Sequence, residues 1–429
     1  MRCRYACRSD QHQIARRKFL GDMAAGGTAV VGGLAWLARP AAARQLESQQ
    51  KHVIVINMHG GLSQLESWDP KPKTDTGGPF RAIPTSVPGV HISELLPETA
   101  KQMHHLTLVR GINTKENDHG KGAYMMLTGR RRTPAADYPK LGAVVAKSLE
   151  TRDQSLPGHI VVTPGGSGGR GNDAAYLGPK YSSVVLGNGN PPPNTTLPKG
   201  VSSDRDAVRH RLRRHANERF LSQRRTAMTD VYTYNYEQAL QLMAKREVFD
   251  VSREPAKDQQ RYGKHDFGRH CLLARRLVEH GVSFVQVSHS NYDTHNENFT
   301  FHFEQMGEFD RPFAQLVADL ADRGMLEHTL IVVLSEFGRT PRINNRYGRD
   351  HWSAAWSVCL AGGRLQRGAA YGKTNANGTA VADGQVDHAM LFHTYLEAIG
   401  VDATGEFEVA GRSLPVADPS SQPIDEILA

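Results

Sequence analysis

Six short runs rich in Val, Ile and Leu, at residues 52–58, 107–110, 159–163, 283–288, 329–335 and 356–361, alternate with stretches of helical patterning. Runs that are apolar on consecutive positions suit strands covered on both faces, because a strand with one solvated face would alternate. Strand-helix pairs recurring along a chain favour a mainly parallel sheet with helices packed on it. Helices are expected at 122–128, 139–149, 204–246, 266–280, 303–323 and 388–399, and residues 165–171 and 188–198 read as loops from their Gly, Asn and Pro content. The expected class is α/β, with residues 200–265 forming a helical insertion rather than a domain of their own. No internal repeat interrupts this pattern.

Residues 1–43 are expected to be an address. Arg16-Arg17 within ARRKFL is a twin-arginine signature, followed by a Gly- and Ala-rich run from Met23 to Ala38 and a small-residue stretch at Ala41 to Ala43. The apolar run, diluted by Gly26, Gly27, Gly32 and Gly33, falls short of the roughly 20 residues that span a bilayer, so no permanent membrane anchor is expected. The sequence therefore predicts an exported protein, periplasmic or extracellular, carried by the twin-arginine translocase. The remainder, 44–429, is expected to be one domain.

The formal charge of +8 shrinks once this segment is set aside. Residues 1–43 hold seven Lys and Arg against two Asp and Glu, which leaves the rest of the chain at +3. That balance gives no case for a nucleic-acid partner. The basic run from 205 to 225 is interleaved with Leu212, Phe220 and Leu221, the pattern of a helix with a solvated face. Cys271 and Cys359 fall in an expected helix and an expected strand, so no disulfide framework is implied.

Ligands of open α/β sheets bind beyond the carboxyl ends of the strands. The first run ends in His59-Gly60-Gly61, where glycines let backbone approach a ligand; Asp69, in WDPKP, reads as a ligand or as a structural turn. The run 283–288 leads into HSNYDTHNEN. Asp293 and His295, two residues apart in an extended loop, can point to the same side and meet one ion. After 329–335 come Glu336, Phe337 and Arg339, the last able to hold an anionic substrate bidentately or to pair with Glu336. Asp350 and His351 precede the run at 356–361, in a GRDH segment that could also be a plain turn, and Asp387 is placed to cap the last helix.

In chain order, HGG, DHGKGxxxMLTG, YDTHxENF, SEFGRTP and GRDHW resemble a bacterial sulfatase-like family, that of domain of unknown function 1501, in the alkaline phosphatase and sulfatase superfamily. The resemblance covers almost all of the chain beyond residue 43. It implies an alkaline phosphatase-like three-layer sandwich and a divalent metal ion, one of zinc, iron, manganese or calcium. The ligand set it implies draws on His59, Asp293, His295, Glu336 and His351, with Asp350 either a ligand or the group that orients the His351 imidazole. Phe337 stands where sulfatases carry a metal-binding His, which implies that one metal site is weakened or absent. Sulfatases place a Cys or Ser nine residues before the Thr of the LTG run, and here that position is His119. Formylglycine chemistry is excluded, and His119 is left as nucleophile, general acid or base, or metal ligand. Asp118, with Asn117 and Lys121, would supply orientation and anion contacts at the helix start.

The function these readings favour is metal-dependent hydrolysis of a phosphate or sulfate ester. Its partner would be an anionic ester, one carried on a polysaccharide included. The competing expectation is a non-catalytic exported protein that binds sulfated or phosphorylated polymers. Asp293, Glu336 and Asp350 count against it, since acidic groups in the cleft would repel a polyanion.

Overall fold

A computed structural model describes residues 50–429, apart from positions 135, 152, 153, 167, 193, 194 and 224–226. The segment read as an export signal and the start of the expected domain at residue 44 lie outside the described residues. Among the described residues the organising element is a nine-stranded sheet. Its strands in chain order are β1 (His52–Met58), β2 (Leu106–Ile112), β3 (His159–Thr163), β4 (Gly169–Arg170), β5 (Val184–Gly187), β6 (Phe284–His289), β7 (Thr329–Leu334), β8 (Trp356–Ala361) and β9 (Ala369–Tyr371). In space they run β9-β2-β8-β7-β1-β6-β3-β5-β4. β1 pairs in parallel with both neighbours, Ile54 standing opposite Val285 on one side and Ile331 on the other. β8 is antiparallel to β2 and to β7, and β4 to β5. The sheet is thus mainly parallel, as expected.

The principal helices are α1 (His119–Thr128), α2 (Leu141–Ser148), α3 (Ser203–Gln223), α4 (Ala227–Ala244), α5 (Asp266–Glu279), α6 (Asn298–Asp322) and α7 (His388–Ala398). Alternation along β1 assigns the layers. Ile54, Ile56 and Met58 enter a core with Leu273 and Leu277 of α5 and Phe309 and Phe313 of α6. Val53 and Val55 enter the opposite core with Val144 of α2 and Leu391 and Leu396 of α7. Burial of apolar surface on both faces, at roughly 25 cal/mol per Å², is what makes β1 the centre of the molecule.

The expected loop at 165–171 contains β4 (Gly169–Arg170), and two further points needed correction. The single helix expected over 204–246 is two, α3 and α4, folded back on each other: Arg213 pairs with Glu237, and Asn217 Nδ2 donates to Thr233 Oγ1 at 3.0 Å. Helical periodicity continues on both sides of the reversal, so the sequence pattern does not announce it. The last strand of the loop-rich stretch, β5, escaped notice because four residues between Gly- and Asn-rich loops give too short a run. Cys271 and Cys359 are both buried free thiols. No helix among the described residues is long and apolar enough to cross a membrane.

Packing also fixes one buried histidine in its neutral form. His302 of α6 donates from Nδ1 to the Asn298 carbonyl at 2.9 Å, while its Nε2 accepts the Ser63 amide at 3.2 Å. Burial pushes its pKa down to about 4, because protonation would break the second bond inside the core. The folded pKa lies below the unfolded value of 6.5, so acid protonates the unfolded chain first. Stability is therefore lost as pH falls from about 6.5 to about 4, by on the order of 3 kcal/mol from this ring. Urea midpoints measured at pH 7 and pH 5 should show the decline, with a shallower slope in His302→Gln. Equal slopes in the two proteins would refute the assignment.

Candidate metal centre

The parallel strands β1, β2, β6 and β7 all deliver their following loops to one edge. β1 gives His59, β2 the segment leading to α1 and His119, β6 the loop with Asp293 and His295, and β7 the Glu336 to Arg339 segment. Reversed β8 begins at this same edge, so the residues before it arrive there too. His351–Trp352 pairs antiparallel with Gly338–Arg339, setting Arg339 opposite His351. Gly60, at φ +112°, lets β1 turn against the next loop: a Cβ there would lie 2.5 Å from the Asp293 amide nitrogen. Gly348 is equally confined, since its Cβ would come within 2.0 Å of the His295 carbonyl.

Three imidazoles converge on one carboxylate oxygen. Asp293 Oδ1 is 3.1 Å from His295 Nε2, 3.2 Å from His351 Nε2 and 3.4 Å from His119 Nε2. The two nitrogens His295 Nε2 and His351 Nε2 are themselves 3.0 Å apart. His119, Asp293 and His351 offer ligand atoms all within 4.8 Å of one another.

The opposite ring nitrogens decide what these atoms can do. His119 Nδ1 lies 2.6 Å from Glu336 Oε1, His295 Nδ1 2.7 Å from Asp350 Oδ1, and His351 Nδ1 2.7 Å from the Asn117 carbonyl oxygen. Carboxylate and carbonyl oxygens accept, so each Nδ1 carries a hydrogen, and a ring in its neutral form then turns the Nε2 lone pair toward Asp293. His119 Nε2 is buried without a hydrogen-bond partner. Lone pairs gathered around a carboxylate repel unless a proton or a cation lies among them. Imidazoles held from behind by carboxylate or carbonyl groups are how metal-binding histidines are oriented. The close donor set, the imidazole nitrogens of His119 and His351 with the Asp293 carboxylate, beside which His295 Nε2 lies 3.0 Å from His351 Nε2, fits zinc or iron better than calcium, which prefers oxygen alone.

Electrostatics agrees with this geometry. Burial would raise the Asp293 carboxyl, but the hydrogen bond and charge of Arg339, aided by His351 and His119, bring it down to about 2. The bond to Glu336 raises the His119 pKa, and the same bond helps hold Glu336 below its usual range against burial. His295 lowers Asp350 in the same way. Burial lowers His351.

The other predicted site residues take different places. Glu336 and Asp350, expected among the ligands, stand behind His119 and His295, and Glu336 is further engaged by the Gly60 amide at 2.9 Å and the Ser335 hydroxyl at 2.9 Å. Asp350 orients His295 rather than His351. Arg339 is fully buried and pairs with Asp293, not Glu336, at 2.6 Å. Three of its other four N–H donors go to the carbonyl oxygens of Gly60, Gly61 and Arg349, and with the side chain fully buried it is not placed to clamp a substrate. Asp118 caps α1, accepting the Lys121 amide at 2.9 Å, and does not orient His119. His59 stays exposed at the edge of the site, outside the group around Asp293. Asp69 is a structural turn residue, bonded to Lys71 at 2.8 Å and Thr374 at 2.5 Å. Asp387 caps α7 as expected, accepting from Ala389 and Met390. Phe337 is buried, with its ring centroid 4.8 Å from that of His119 and 4.5 Å from that of His351, and forms the apolar wall of the cluster.

Two supports were not foreseen. The Asn117 carbonyl is backbone, which no side-chain motif reveals. Gln64 clamps Arg339 through both its amide atoms, donating to the Arg339 carbonyl at 2.8 Å and accepting the Arg339 amide at 3.0 Å. Its adjacency to HGGLS was the available signal.

An α/β protein with a histidine-carboxylate cluster at the carboxyl edge of a mainly parallel sheet is the class that fold and site define. The chain belongs to the family described as Protein of unknown function (DUF1501), whose model matches residues 50–428. No curated protein matches the chain. Among solved structures it is similar to the PsFucS1 sulfatase from Pseudoalteromonas sp., at 15% identity and TM-score 0.37, covering 85% of this chain and 70% of that one. It is also similar to the alkaline phosphatase from the Antarctic bacterium TAB5, at 12% identity and TM-score 0.37, covering 82% of this chain and 100% of that one. A third is the lipoteichoic acid synthase LtaP from Listeria monocytogenes, at 8% identity and TM-score 0.37, covering 87% and 76%.

Proposed function

We propose that the protein is a metal-dependent hydrolase of phosphate or sulfate esters, acting outside the cytoplasm after twin-arginine export. The observation that carries this reading is the convergence of His119, His295 and His351 Nε2 on Asp293 Oδ1, each ring backed through its Nδ1. His119, His295, His351 and Asp293 would hold the ion. A divalent ion bound there supplies polarisation of an ester oxygen and activation of water.

The chain's own residues supply the rest. Because Glu336 occupies His119 Nδ1, only Nε2 faces the site, and a ring that spends Nε2 on the ion cannot also attack. We therefore assign His119 as a ligand and water as the nucleophile. Arg339 holds Asp293 ionised and in place rather than touching substrate. The amino end of α1, which begins at His119, contributes the positive end of a helix dipole toward an anionic ester. Phe337 keeps water from one side of the cluster.

The test is metal content together with hydrolysis of p-nitrophenyl phosphate and p-nitrophenyl sulfate. Protein purified without chelator should hold near-stoichiometric metal, and the His295→Ala, His351→Ala double variant should lose it along with at least about 100-fold in activity. A parent protein that stays empty after incubation with zinc, iron and manganese would refute the reading.

A further inference from the structure

Helices α3 and α4 concentrate the exposed apolar side chains of the molecule. Among the described residues seven large apolar side chains are exposed, and five of them are Val208, Leu212 and Phe220 of α3 and Tyr232 and Tyr236 of α4. A helix with a solvated basic face would turn its apolar residues toward the body of the protein. Leu212 is instead 65% exposed and Phe220 47%, so apolar side chains of α3 stand in water beside its arginines. Apolar side chains gathered in one exposed patch mark an interaction surface.

The positions follow helical periodicity. Arg205, Val208, Arg209, Leu212, Ala216 and Arg219 recur at steps of three and four residues, which at about 100° per residue places them within roughly a third of the helix circumference. The opposite side of α3 is occupied by α4: Arg213 pairs with Glu237 and lies 4.8 Å from the Tyr236 ring centroid, and Asn217 bonds Thr233. The first face is therefore turned away from α4. Its charge is one-sided, since residues 207–223 hold five arginines and a single acid, Glu218. Arg213 and Arg214 are engaged by Glu237. Arg205, Arg209, Arg211 and Arg219 are exposed and form no ion pair among the described residues.

This mixture selects the partner. A soluble polyanion would pair the arginines and leave Val208 and Leu212 wet, whereas an uncharged apolar partner would leave the arginines without counterions. An anionic bilayer surface meets both requirements. Apolar side chains enter the boundary between headgroups and acyl chains, arginine stems lie along it with their guanidinium groups on lipid phosphates, and tyrosines settle at headgroup level. Tyr232 and Tyr236, with ring centroids 4.8 Å apart, supply such a pair on the neighbouring helix. We propose that α3 and α4 dock the protein reversibly on an anionic lipid bilayer through the face carrying Arg205, Val208, Arg209, Leu212 and Arg219, lying on the membrane without crossing it. This inference stands whether or not the ester-hydrolase reading holds.

Cosedimentation with vesicles of phosphatidylcholine, with and without phosphatidylglycerol, tests it, using protein that lacks residues 1–43 so that the export signal cannot itself bind lipid. The parent should bind the vesicles containing phosphatidylglycerol, release them as salt is raised, and ignore phosphatidylcholine alone. Arg205→Gln, Arg209→Gln, Arg219→Gln should weaken binding at least about 30-fold, and Val208→Ser, Leu212→Ser at least about 10-fold. All five positions are on the surface, so Tm and far-ultraviolet circular dichroism of both variants should match the parent. The inference is overturned if the parent fails to sediment with phosphatidylglycerol vesicles, binding to heparin alone included, since that would make the face a polyanion site. It is also overturned if Val208→Ser, Leu212→Ser binds those vesicles as tightly as the parent, because the apolar row would then take no part.

Discussion

Asp293→Ala is expected to abolish metal binding and to destabilise the metal-free protein, whereas Asp293→Asn abolishes binding with a smaller loss of stability. Asp293 is the carboxylate on which the three Nε2 atoms converge, so removing its charge should weaken the ion by more than about 100-fold. The stability effect has another origin. Arg339 is fully buried, and Asp293 is its countercharge at 2.6 Å. Removing one partner of a buried pair costs roughly 3–5 kcal/mol. Here about 2–3 kcal/mol is expected, because Asp293 is half exposed and three carbonyl oxygens still accept from the guanidinium. Asn keeps a hydrogen-bond acceptor and so recovers part of that loss. Urea unfolding of the chelated proteins, beside zinc titration, separates the two effects. Equal stability of Asp293→Ala and the parent would contradict the countercharge role.

The second large effect is expected at a pair no activity requires directly. Glu66 and Arg349 are both fully buried and bonded at 2.8 Å. Glu66 also accepts from Ser63, and Arg349 donates to the carbonyl oxygens of Thr76, Thr340 and Pro341. Burial alone would raise the Glu66 pKa, but the Arg349 charge reverses that and holds it below its usual range. Glu66→Ala therefore leaves a charged guanidinium in the core and should cost about 3–5 kcal/mol. The Glu66→Met, Arg349→Met double variant should recover only part of it, because three carbonyl oxygens then lose their donor. Thermal or urea unfolding of single and double variants gives the coupling, and a single-variant loss below about 1 kcal/mol would refute the argument. Arg349 lies two residues before His351, so zinc affinity should fall with stability.

Much of this arrangement was legible because strands buried on both faces leave continuous apolar runs, and the polar residues directly after such runs must emerge at the sheet edge. Asp293 and His295 were found that way, His351 from its place just before such a run, and His119 only through the resemblance of the LTG run to that of sulfatases. What stayed hidden was pairing. A run such as Trp356–Ala361 reads the same in either direction, so nothing in it declares that β8 is reversed. The assignment of Asp350 to His295 rather than His351, and of Arg339 to Asp293 rather than Glu336, depends on angles between loops from different strands. Sequence adjacency suggested the wrong partner in both cases. Glu336 illustrates a further limit: an acidic residue after a strand serves equally as a ligand or as the support behind one, and only the 2.6 Å contact with His119 Nδ1 distinguishes them.

The position of β8 bears on how the molecule is made. Among the described residues β2, which leads to His119, has as its sheet neighbours β8 and β9, both encoded near the end of the chain. On the ribosome, the first half of the protein therefore emerges with β2 unable to join the growing sheet, and His119 waits apart from Glu336 and Asp293. Residues 349–361 close that gap last. The cluster around Asp293 is consequently complete only once residues 349–361 have been made, and a chain interrupted before that point lacks both His351 and the strand that joins β2 to the rest of the sheet.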